Sequence, residues 1–183
     1  MNDRKKSADD NRRHSISVRS LCLAALFAAL SCIGTFISVP LPIGYFNLGD
    51  IFVLSGAFLL GAPFGAVAAG VGSALADIFM GFVIYAPATF VIKALVAACA
   101  ALLFAFFKRV VKGKKTLMAL WLVSTVVAEC IMVGGYFLYE SLILGYGFGA
   151  LASVFGNCLQ GVCGSVGAFV LCGLLKKRMR TDL

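Results

Sequence analysis

Charge is scarce in this chain. Of its 183 residues only 13% are Asp, Glu, Lys or Arg, about half the share of an ordinary soluble domain. Histidine is nearly missing. The one copy, His14, lies in a polar tail, so the apolar part has no zinc-protease helix and no His-based dyad. No G-x-x-x-x-G-K-[ST] phosphate loop occurs, so any ATP that drives this protein is hydrolysed by another chain. No DDxxD pair of acids is available to hold a metal diphosphate. The seven cysteines form no CxxC and all lie in apolar stretches; they read as small packing residues, and no metal site is expected. What is abundant is apolar side chain, at 61% of residues, with a mean hydropathy of +1.00. A soluble enzyme and a disordered chain are both excluded. The continuous apolar runs exclude a transmembrane barrel, whose strands alternate apolar and polar residues.

The expected fold is an all-α integral membrane protein. Six apolar segments cover roughly 19–39, 48–61, 63–81, 87–107, 116–140 and 149–175. Pro40 and Pro42 break the first exit, and Pro63 and Pro87 open later segments, as proline does in a first helical turn. The second segment is short for a span of about 20 residues, so it is expected to be tilted or sheltered by neighbours. A basic tail (1–18), a six-helix membrane domain (19–175) with a lid loop at 39–49, and a second basic tail (176–183) complete the organisation.

The net charge of +8 reports topology rather than nucleic acid. Every Lys and Arg except Lys93 falls in one of three clusters: before the first segment, at 108–115, or after residue 175. With six spans these share one face, which the positive-inside rule makes cytoplasmic, with both termini inside. Five spans would put the last cluster outside.

The outer half is the polar half. Asp77, late in the third segment, and Lys93, early in the fourth, fall at similar depth. A lone charge in the bilayer costs about 2.5–3.5 kcal/mol on insertion scales. Two readings follow: a structural ion pair Asp77–Lys93, or a lysine that also meets a ligand. Glu129, Val133, Tyr136 and Glu140 share one face of the fifth helix. Water is the default environment for Glu140, and a hydrogen-bonded or protonated core for the deeper Glu129. Asn157 and Gln160 share a face of the sixth helix, as interhelical glue or as ligand contacts. The five tyrosines are all in the outer half. Tyr139 and Tyr146 suit an interfacial aromatic belt, while Tyr45, Tyr85 and Tyr136 beside amides and a lysine suit a flat polar heteroaromatic ligand. The segment VPLPIGYFNLGD has prolines for shape, Gly44 as hinge, and Tyr45, Phe46 and Asn47 at its tip, which fits a lid. In the first span Ala24, Ala28, Ser31, Thr35 and Ser38 form one small-residue stripe, and Ala25 with Ala29 a second pair. Such stripes allow close helix approach, either within the bundle or to a partner subunit.

The stretches FNLGDIFVLSGAFLLGAPFGAVAAGVGSALADIFMG and YAPATFVIKAL, with GGYFLYE and FGNCLQG further on, resemble the substrate-binding subunits (S components) of energy-coupling factor (ECF) vitamin transporters. The similarity is greatest to the riboflavin-type subgroup, which includes hydroxymethylpyrimidine- and pyridoxine-type members, and it covers nearly the whole chain after residue 18. It implies a six-helix fold binding one vitamin near the outer face, with residues 39–49 as lid. The implied pocket draws on Thr89, Lys93, Tyr136, Glu140, Asn157 and Gln160. The family's A-x-x-x-A docking motif matches Ala24 with Ala28, and Ala25 with Ala29. The implied partners are a membrane coupling subunit and two cytoplasmic ATPases, which use the ATP; no cofactor is implied for this chain. The implied mechanism is a toppling rotation in the membrane.

Two other classes compete. A transferase acting on a lipid or prenyl substrate needs the clustered acids that are missing here. A channel needs polar groups along its whole length, and these are confined to one half. The single tryptophan, Trp121, falls near the inner end, which favours a small ring (pyridoxine or hydroxymethylpyrimidine) over a tricyclic one, with riboflavin left open.

Overall fold

The computed structural model describes residues 17–40 and 45–179. Most of the first basic tail, the last four residues of the second, and the lid tip at 41–44 with the expected hinge Gly44 lie outside the described residues. The order is α1 (Val18–Phe36), β1 (Ser38–Pro40), β2 (Tyr45–Asn47), α2 (Gly49–Leu60), α3 (Ala62–Phe79), α4 (Ala86–Val110), α5 (Lys114–Leu138) and α6 (Leu151–Met179). A π-helical turn, Tyr139–Ile143, and a 3-10 turn, Gly147–Ala150, join α5 to α6.

Five of these helices are long and apolar enough to cross a membrane. The exception is α2, with 12 residues, which at 1.5 Å per residue is about 18 Å long against about 30 Å of hydrocarbon. It packs against α1, α3, α4 and α6, so the short segment is sheltered, as its length suggested. Pro63 and Pro87 stand in the first turns of α3 and α4. The expected lid loop is instead a two-stranded antiparallel ribbon, with Ser38 opposite Asn47 and Val39 opposite Phe46. The ribbon ties the end of α1 to the start of α2.

In lipid there is little hydrophobic force between helices, so close packing of small residues holds them together. Interior positions are accordingly small: Ala68, Ala69 and Ala76 on α3, and Ala97 and Ala100 on α4 are buried. Large apolar side chains such as Leu26, Val67, Leu102 and Phe155 point outward. The tightest crossing is α1 on α3, where a Cβ on Gly72 would come within 2.2 Å of the Ala28 carbonyl oxygen. Beside the basic α4–α5 linker the core is an aromatic plug. Phe58, Phe104 and Trp121 stack with ring centroids 5.0 to 5.3 Å apart, and Trp121 is wholly buried. A cavity opens in the opposite half of the bundle.

Candidate binding cavity

A cavity of about 340 Å³ opens at the end away from the basic linker. Of the residues expected to bind ligand, Asn47, Tyr85, Thr89, Lys93, Tyr136, Glu140, Asn157 and Gln160 all line it. Tyr45 is placed by its backbone alone, opposite Pro40 in the ribbon. Trp121 is not among the lining residues.

The floor is a buried polar network. Lys93 Nζ donates to Asp50 Oδ1 at 2.5 Å and to Met132 Sδ at 2.9 Å. Gln160 Nε2 donates to Asp50 Oδ2 at 2.6 Å. Gln160 Oε1 accepts from the Asn47 backbone N–H at 3.2 Å and from its side-chain amide at 3.0 Å. Asn47 Oδ1 in turn accepts from the backbone N–H of Gly49 at 2.9 Å. One network thus joins β2, α2, α4 and α6. Asp50 lies in the first turn of α2, where the helix dipole favours a carboxylate.

This corrects the expected Asp77–Lys93 pair. Among the described residues the ion pair made by Lys93 is with Asp50, and both side chains are almost fully buried. The depth argument placed Asp77 and Lys93 correctly on the adjacent helices α3 and α4. It missed that the short α2 carries its first turn into the bundle, where a Cβ on Gly164 would meet Asp50 Cβ at 2.6 Å. Asp77 lines the cavity on α3, and its buried Oδ2 has no hydrogen-bond partner among the described residues.

One wall carries a pair of bonded hydroxyls. Tyr136 donates to Thr89 Oγ1 at 3.0 Å, and Asp77 lines the same cavity. Lys93 Nζ lies 5.8 Å from the centre of the Tyr136 ring, within cation–π range. At the mouth, Glu140 sits in the π-helical turn, a feature often found at functional sites. The water expected around Glu140 is not what surrounds it: the residue is buried and accepts from Ser153. Nearby, the pKa of the Tyr85 hydroxyl is pushed up to about 12, first by burial and then by the Glu140 charge. Tyr139 departs from a simple belt role, since it bonds the Ile84 carbonyl and packs edge-on against Tyr85 at 5.7 Å. Tyr146, 58% exposed, is placed as a belt residue would be.

Sequence reasoning missed Asp50, Ser73 and Ser153. Ser73 precedes Asp77 by one helical turn, and Ser153 continues the Asn157–Gln160 face; both line the cavity with them. That spacing was the available signal. Glu129 is buried below the cavity, and neither carboxyl oxygen has a hydrogen-bond partner.

The small-residue stripes divide. Ala24 is buried, and the backbone of Ala28 meets α3 at Gly72. Ala24 and Ala28, expected to dock a partner, are thus turned into this bundle because α3 already occupies that face. Ala25 and Ala29 are exposed.

A family model for the S component of ECF-type riboflavin transporters matches residues 15–177. A Pyrococcus woesei protein described as uncharacterized, in a gap 3' region, is 35% identical over 78% of this chain and 90% of its own length. The thiamine precursor transporter HmpT of Lactococcus lactis subsp. cremoris (strain MG1363) is 27% identical over 88% of this chain and 90% of its own. Among solved structures, the S component of a bacterial ECF transporter superposes with a TM-score of 0.63 at 19% identity, covering 90% of this chain and 96% of the other. The S component for biotin from an ECF-type ABC transporter gives 0.52 at 15% identity, with 86% and 94% covered. These two likenesses show the fold. With the family match spanning nearly the whole chain, this multi-pass membrane protein belongs to the S components of ECF-type transporters, the substrate-binding part of these vitamin uptake systems.

Proposed function

We propose that this chain captures a water-soluble vitamin or vitamin precursor at the cell surface for ATP-driven uptake. The candidates are a pyridoxine-like ring, a hydroxymethylpyrimidine-like ring and riboflavin. One observation carries the reading: a polar cavity opens in one half of the bundle and an aromatic plug packs the other. That is the geometry of a cup. It binds a solute from one side and offers no path through.

The basic linker lies at the sealed end, so the positive-inside rule turns the cavity outward. With α2 counted as a sixth, shortened crossing, both termini are cytoplasmic. The ribbon and its tip, residues 39–49, serve as the lid. The exposed pair Ala25 and Ala29 is the face that docks a membrane coupling subunit, and two cytoplasmic ATPases supply the energy. This chain itself binds no cofactor and catalyses no reaction.

Mass spectrometry of small molecules that co-purify with the protein in detergent, followed by calorimetric titration, tests the reading. The expected result is one vitamin or precursor bound at one site and recovered unchanged. Conversion of a lipid or prenyl substrate by the purified chain would overturn it in favour of the transferase class.

A further inference from the structure

One side chain of α6 is gripped by two residues of a single turn. Asn47 ends β2, and Asp50 follows in the first turn of α2. Gln160 reaches between them, and all three are buried. Gln160 Oε1 accepts from the backbone N–H and the side-chain amide of Asn47, at 3.2 and 3.0 Å. Its Nε2 donates to Asp50 Oδ2 at 2.6 Å and to Met132 Sδ at 3.5 Å. A side-chain amide has two acceptor lone pairs and two donor hydrogens, so all four are engaged. Asn47 Oδ1 is used as well, by the Gly49 N–H at 2.9 Å. Between them the Leu48 N–H donates to the Gly34 carbonyl of α1 at 3.1 Å.

Charge dictates which way that amide points. A carboxylate only accepts, so Asp50 draws the Gln160 NH2 to itself and leaves the carbonyl for Asn47. The reversed amide would set a carbonyl against a carboxylate and an NH2 against two N–H donors. The Asp50 charge is in turn balanced by Lys93 Nζ at 2.5 Å. We infer that Gln160 is a positioning residue: oriented by the Lys93–Asp50 pair, it latches β2 in place as a wall of the cavity that Asn47, Lys93 and Gln160 line together. β2 leaves that wall only when both bonds to Gln160 Oε1 break. Asn47 and Gln160, expected to hold a ligand, thus hold each other, and the latch is the same whatever solute the cavity takes.

Hydrogen–deuterium exchange of the detergent-purified full chain, read by mass spectrometry, tests the latch, because exchange separates local opening from global unfolding. No solute is added, so the outcome is independent of vitamin capture. Gln160→Met keeps the side-chain length and removes both amide groups. Residues 45–50 should then exchange at least about tenfold faster, with residues 117–125 in the aromatic-plug helix unchanged. Unchanged exchange at 45–50, or equal acceleration of both segments, overturns the positioning role. Lys93→Met/Asp50→Asn removes the charges but leaves an oxygen for Gln160. Asparagine presents either a carbonyl or an NH2, so the Gln160 amide is no longer held one way, and 45–50 should again open faster than 117–125. Wild-type protection in that double variant would overturn the role given to the ion pair. Should neither variant fold, Asn47→Asp decides. It keeps the bond to Gly49 but sets an oxygen against Gln160 Oε1, so it should release the same segment; full protection there overturns the latch.

Discussion

Lys93 Nζ lies 2.5 Å from Asp50 Oδ1, bridging α4 to α2, while Asp77 on the neighbouring helix α3 keeps one carboxyl oxygen unbonded. The distinction decides which acid balances the buried cation.

Removing the lysine tests this directly. Lys93→Met strands Asp50, which is 0% exposed, and a buried pair broken on one side costs about 3–5 kcal/mol. Lys93→Met/Asp50→Asn should recover most of that loss, since Asn retains an oxygen for Gln160. Lys93→Met/Asp77→Asn should recover none. Thermal unfolding in detergent reads the difference, and rescue by the Asp77 double variant would reassign the pair.

Much of this arrangement was legible in the sequence, because long apolar spans fix depth and helical spacing fixes faces. Thr89 and Lys93 are one turn apart, as are Tyr136 and Glu140, and these faces converge on one cavity. What could not be read was lateral position. Asp50 stands two residues into a 12-residue helix, and nothing in the chain says that so short an element tucks inside four others. The alanines failed for a related reason. Two small pairs one residue apart differ by about 100° around a helix, and only the placement of α3 decides which faces inward. The burial of Glu140, which does line the cavity as expected, was not legible because a π-helical turn carries no sequence mark separating it from the exposed end of a regular helix.

At the α1–α3 crossing Gly72 leaves almost no room for a side chain. Gly72→Ala would place a methyl 2.2 Å from the Ala28 carbonyl oxygen, so the two helices must separate. The expected loss is about 1–3 kcal/mol, the usual cost of overpacking. Gly134→Ala on α5, where a new Cβ has nothing within 4 Å, is the control and should leave stability nearly unchanged. Equal melting temperatures for the two variants would show that α1 is not held by this contact.

Alanine pairs on α1 should separate bundle packing from docking. Ala24→Leu inserts bulk at a residue 8% exposed and should lower the stability of the isolated subunit. Ala29→Leu lies on the exposed face. It should leave stability and vitamin binding unchanged but weaken assembly with the coupling subunit, since a bulky side chain blocks close helix approach. Co-purification of the complex, with ligand titration of the free subunit, reads both. Normal assembly with Ala29→Leu would move the docking surface off this face.

Topology follows from charge, and it governs which end of the molecule meets the vitamin. The basic residues at 108–115 adjoin the aromatic plug at Phe104 and Trp121, whereas the cavity lies under the ribbon and the α5–α6 connection. Leu142, Ile143 and Tyr146 in that connection are strongly exposed on the bundle surface. Seven native cysteines require a cysteine-free background. In it, single cysteines placed at 40–48 or 142–147 should react with an impermeant thiol reagent on intact cells. Those at 110–115 should react only after the membrane is opened. The two outer segments must agree, because the cavity rim is built from both. Labelling of 40–48 from the inside alone would invert the molecule, direct the cavity to the cytoplasm and end the case for capture from outside.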